Sequence, residues 1–165
     1  MGEDAETFEL VVLYRLKGQG PHHPSTMVAL HNLMHTDLQG VDRAPGSPAL
    51  LPEGANAPGI RLDGDLVDQQ VDLVLDATAL QEDRTERLGP DDPRTMAATS
   101  YLAYALAFAD HIDGQIESAL VLAQDAYEGL DDAAAEGNPL LGPYDVQIAT
   151  LILAWINEIL DQSAD

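Results

Sequence analysis

The chain has no cysteine, a single lysine and few aromatic rings, and each shortage closes a class of explanation. Without cysteine there are no disulfides, no thiolate metal ligands and no thiol nucleophile, which agrees with a reducing, cytoplasmic setting. Two phenylalanines, five tyrosines and one tryptophan leave the core to aliphatic side chains and alanine. At 165 residues one domain can still bury enough of them to fold, so the whole of 1–165 is expected to be a single domain. Met1-Gly2-Glu3-Asp4 is acidic where a leader would be basic then apolar. No apolar run reaches the length of about eighteen residues that a membrane-spanning helix needs, so neither secretion nor insertion is expected. Cations are also scarce: seven face 29 carboxylates, for a formal net charge of −22. Such a chain repels a polyanion, which argues against nucleic acid as a ligand and favours a basic partner.

Against these shortages stands a repetition. Gly20-Pro21-His22-His23-Pro24-Ser25-Thr26-Met27 returns 69 residues later as Gly89-Pro90-Asp91-Asp92-Pro93-Arg94-Thr95-Met96, each time ahead of a helical apolar pattern. A shorter relic, Leu141-Gly142-Pro143-Tyr144-Asp145, precedes a further helix. Iteration of one helix–turn–helix unit is the simplest origin, and it predicts an all-α fold of about six helices.

The first helix covers Glu6 to Lys17, with Phe8, Leu10, Val11, Leu13 and Tyr14 at mixed helical spacing and Gly18 and Gly20 as stops. The second starts near Pro24 and runs towards Gly40, aligning Met27, Leu30, Met34 and Leu38. Between Gln39 and Leu62 four prolines and four glycines rule out regular structure, and a long loop of this kind is an insertion or a lid. The third helix, Asp63 to Leu88, carries Val67, Val71, Val74, Leu75 and Thr78 on one stripe and Asp65, Asp68, Asp72 and Asp76 on another, read as a solvated acidic face. Asp92 as N-cap and Pro93 in the first turn open the fourth, which runs to about His111. The fifth spans Gln115 to about Ala135 and the sixth Tyr144 to about Gln162. The sixth is apolar over a wide arc, so Leu151, Trp155 and Ile159 are candidates for self-association.

The run Leu88-Gly89-Pro90-Asp91-Asp92-Pro93-Arg94-Thr95-Met96 resembles the tetratricopeptide repeats of the kinesin light-chain type. His31-Asn32-Leu33-Met34 and Ser100-Tyr101-Leu102-Ala103 match that family's first-helix signature in part, and Gly114, Ile116, Ala119 and Ala126 its second-helix signature. The resemblance implies a short array of antiparallel helix hairpins whose first helices line a groove for a peptide or protein segment. The groove residues it implies are His31, Asn32, His35, Tyr101 and Tyr104. Departures are the uneven spacing of the Gly-Pro elements, 69 then 53 residues, and Gln69-Gln70 where alanine is usual.

Little chemistry is legible. His31 and His35 lie one turn apart on one face, but two imidazoles without a third ligand do not make a zinc site, and no glutamate stands between them. The Asp131-Asp132 to Glu136 cluster reads as a solvated helix end. No phosphate loop follows a strand, and no nucleophile has a base beside it. The expectation is a non-catalytic module, without cofactor or metal, that binds a basic protein segment. Two alternatives remain: an acidic inhibitor using Asp65, Asp68, Asp72 and Asp76 to mimic phosphate charge, and a structural homodimer through the last helix.

Overall fold

The computed structural model describes residues 2–21, 23, 25–31, 33–34, 65–109, 115–139, 141 and 144–163. All regular structure among them is helical. The chain divides into two compact units, Met1–Pro58 and Gly59–Asp165. The Pro/Gly-rich stretch at 39–62 lies outside the described residues.

In the first unit α1 spans Gly2–Gly18 and α2 comprises residues 25–31 and 33–34. Helix α1 buries Val12, Leu13 and Leu16 and leaves Leu10, Val11 and Tyr14 exposed. In α2 Met27, Leu30, Leu33 and Met34 are buried.

The second unit holds α3 (Leu66–Leu88), α4 (Pro93–Phe108), α5 (Gln115–Ala135) and α6 (Asp145–Ser163). Helix α4 is central: it packs on α3, α5 and α6, while α5 also packs on α6. A helix approached from three sides needs short side chains, and Ala97, Ala98, Ala103, Ala105 and Ala107 are all buried. Where larger groups occur they close a seam. The Tyr104 ring lies 5.3 Å from that of Trp155 on α6 and 5.8 Å from that of Phe108.

Helix α3 turns a different face inward from the valine stripe read in the sequence. Gln70, Leu73, Ala77, Leu80 and Arg84 are buried, whereas Val71 and Leu75 are exposed, Leu75 by 65%. The two polar members of that face explain the difference. Gln70 Nε2 donates to the Phe108 carbonyl at 2.9 Å, satisfying an acceptor that the end of α4 leaves without an intrahelical partner. Arg84 Nη1 donates to the Arg94 carbonyl at 3.0 Å, across the α3–α4 corner. Burial here follows hydrogen bonds to backbone carbonyls of α4, which hydropathy does not register.

The two complete Gly-Pro elements form corresponding turns. Gly20 has φ +91° and Gly89 φ +89°, a region that penalises any other residue. His23 Nδ1 accepts from the Ser25 amide at 3.1 Å, as Asp92 Oδ1 accepts from the Arg94 amide at 2.9 Å. The carbonyls of His23 and Asp92 each accept from the amides three and four residues on. Thr26 Oγ1 donates back to the Gly20 carbonyl at 2.9 Å and Thr95 Oγ1 to that of Arg84 at 3.2 Å. The third element is described only at its edges; Gly137, at φ +70°, closes α5 ahead of it.

Two substitutions test this account of the second unit. Gln70→Ala strands the Phe108 carbonyl and should cost about 1–3 kcal/mol in urea-induced unfolding. Ser100→Ala removes a buried hydroxyl that has no hydrogen-bond partner, and should leave stability unchanged or raise it by about 1 kcal/mol. The reverse ranking of the two variants would contradict the assignment.

Candidate functional site

The residues chosen from sequence as groove walls are placed otherwise by the fold. Tyr101 and Tyr104 have no exposed surface, and His31 is 2% exposed. The Tyr101 hydroxyl donates to Asp76 Oδ2 at 2.9 Å, and the Tyr104 ring packs at a tilt against that of Trp155. Both tyrosines therefore join α4 to its neighbours and are not open groove walls, a correction that follows from α4 being covered on three sides. Asn32 and His35 lie outside the described residues.

The acidic row on α3 is likewise not an uninterrupted solvated face. Asp65 is exposed but serves as the N-cap, accepting from the Asp68 amide at 2.9 Å. Asp68, Asp72 and Asp76 are half-buried, and Asp76 holds Tyr101. On α6 Trp155 is buried, and Leu151 and Ile159 are half-buried. Trp155 faces Tyr104 within the unit.

One open feature among the described residues of the second unit is a cleft of about 490 Å³ between α3, α4 and α5. Its α3 wall is Gln81 and Thr85, and Pro90 and Asp91 of the turn close one end. Thr95, Met96 and Thr99 of α4 contribute the base, and Leu122, Asp125, Ala126, Glu128, Gly129 and Asp132 of α5 the facing wall. The α5 set recurs at three- and four-residue intervals, which is one face of a helix.

Local chemistry divides the walls. On α3 and α4 the hydroxyls of Thr85 and Thr99 donate to the carbonyls of Gln81 and Thr95, at 2.7 and 3.0 Å. Both hydroxyl oxygens accept from Gln81 Nε2, at 3.2 and 3.4 Å. That wall is neutral and internally bonded. On α5 the carboxylates of Asp125, Glu128 and Asp132 are exposed, as is Asp91 across from them, and no cation lines the cleft. Between the walls lie Met96, Leu122, Ala126 and Gly129. A Cβ on Gly129 would collide with Sδ of Met96, so glycine admits the thioether against the α5 backbone.

The turn beside the cleft is held by charge. Arg94 Nε and Nη2 donate to the two carboxylate oxygens of Asp92 at 3.0 and 2.9 Å. The Arg94 side chain, its amide and the nearby Arg84 guanidinium hold the Asp92 carboxyl below the usual carboxylate range, against the opposing effect of burial. Arg84 is fully buried beneath the same turn.

A signal for the cleft was present in the sequence. Gly129 interrupts an otherwise good helix former at a cost of about 1 kcal/mol relative to alanine, and Asp125, Glu128 and Asp132 share its face. Among the described residues no group of three metal-ligating side chains forms, and no helix is long and apolar enough to cross a membrane. No family model, curated protein or solved structure matches the chain.

Burial also pushes the Tyr101 and Tyr104 phenols up, well above their ordinary value of 10.0, with the Asp76 carboxylate adding to the effect at Tyr101. In the unfolded chain these groups ionise near pH 10 while in the folded one they stay neutral, so folded-state stability should fall as pH rises through about 10. Alkaline titration followed at 295 nm should show two phenols ionising only as helical circular dichroism is lost. Ionisation of all five tyrosines with helicity intact would contradict their burial.

Proposed function

We propose that this chain is a non-catalytic protein-binding module, built as a short tetratricopeptide-like array, that captures a basic segment of a partner in the α3–α4–α5 cleft. One observation carries this reading. Four exposed carboxylates, Asp91, Asp125, Glu128 and Asp132, line an open cleft together with the apolar Met96, Leu122 and Ala126, and its lining contains no cation. A lysine or arginine suits such a surface, since its aliphatic stem lies along apolar groups while its charged head reaches the rim. The overall charge of −22 adds long-range attraction for the same partner. The repeat reading is supported by the two corresponding turns 69 residues apart and by the packing of α4 on α6 as well as on its chain neighbours. The groove implied by the family resemblance is replaced by this cleft, because the tyrosines expected to line it are core.

Fluorescence anisotropy with a labelled arginine- and leucine-containing peptide tests the proposal. The peptide should bind the full chain at low salt and lose about tenfold or more in affinity between roughly 50 and 500 mM NaCl. The triple variant Asp125→Asn, Glu128→Gln, Asp132→Asn should lose most of the affinity with unchanged helicity. Binding that ignores both salt and the triple substitution, or an equal affinity for a glutamate-containing peptide, would refute the reading.

A further inference from the structure

Rise along α5 narrows the kind of basic segment that fits. Asp125, Glu128 and Asp132 line one cleft and follow one another by three and four residues, so their Cα atoms advance along the axis by about 4.5 and 6 Å. Same-face residues of an extended strand recur every 6.6–6.8 Å or so, and a strand that meets one of these carboxylates misses the next. A second helix repeats the same steps, and cations three and four residues apart on it stay in register with all three.

The repeat adds an independent observation. Sixty-nine residues before Gln81, Thr85, Met96 and Thr99 stand Val12, Leu16, Met27 and Leu30. The earlier four are buried, at 5% exposure or less. Their later counterparts are half-buried, line the open cleft, and carry hydrogen-bonding groups at three of the four positions. One position set is thus permanently covered in the first copy and left accessible, with polar side chains, in the second.

We propose that the α3–α4–α5 cleft docks a single amphipathic helix of a basic partner. Cations spaced by three and four residues pair with Asp125, Glu128 and Asp132, and an apolar side chain between them is seated on Met96 over Gly129. The inference rests on the basic-segment reading above and adds the conformation and register of the bound segment. Gly129 gives the site its depth: a larger residue there displaces Met96 into the space that the partner's apolar side chain takes.

Three synthetic peptides of equal length and charge distinguish the outcomes by isothermal titration. The first is a helix former with arginines at three- and four-residue spacing and a leucine among them. The second has the same residues permuted so that the arginines point all round the helix, and the third is the first with a central proline. The first should bind at least about tenfold more tightly than either other. The protein variant Asp132→Lys should weaken it, and the matching arginine-to-glutamate peptide should recover the loss. Such recovery cannot come from damage to the fold. Equal, salt-dependent binding of all three peptides would overturn the helical register and leave the basic-segment reading standing. No binding of any of them would overturn both, and a charge swap without recovery would overturn the placement on α5.

Discussion

Helix α4 passes between α3, α5 and α6 at close range, and a helix can be approached from three sides only where its side chains are short. That constraint selects the alanines at 97, 98, 103, 105 and 107, with the bulky Tyr101, Tyr104 and Phe108 buried among them. It also sets what the neighbours must supply. The end of α4 delivers a backbone carbonyl into a buried setting, and α3 answers with Gln70. Where the α3–α4 corner turns, Arg84 and Thr95 tie the two helices across it.

The corner illustrates how one turn geometry tolerates different chemistry. Both copies use a glycine at positive φ and a side-chain acceptor two residues before the amide it caps. In the first copy the acceptor is an imidazole nitrogen, Nδ1 of His23. In the second it is a carboxylate locked by Arg94, which complements the positive end of α4 as the imidazole cannot. The backbone needs an acceptor of the right reach, and several residue types provide it.

Close packing of α4 also creates the cleft. Because α3 and α5 both lie against α4, the surface of α4 at Met96 and Thr99 becomes the floor of a trough whose walls belong to different helices. The neutral wall satisfies its own hydrogen bonds, so it resists rearrangement. The acidic wall keeps its carboxylates in water. Charge that is unremarkable along α5 in isolation becomes a concentrated field once a facing wall excludes solvent from one side.

Helix identities and most of their ends were legible in the sequence, because glycine, proline, aspartate caps and 3.6-residue periodicity act within a few residues of chain. Gly89, Asp92 and Pro93 mark the start of α4, and Gly137 the end of α5. The facing of the helices was legible only in part: Leu73 and Leu80 of α3 turn inward with Gln70 and Arg84, whereas Val71 and Leu75 of the expected stripe stay out. The site was least legible of all. The family resemblance implies Tyr101 and Tyr104 as groove residues, yet whether a tyrosine is wall or core depends on how many helices surround it. The residues that line the cleft stand between positions 81 and 132 on three helices, and no local pattern joins them. By itself the sequence determined a helical chain, its turns and its charge, since these follow from short-range backbone preferences and from composition. Tertiary structure alone decided which polar groups are buried to satisfy backbone acceptors and which carboxylates converge, because both depend on the distance between segments remote in the chain.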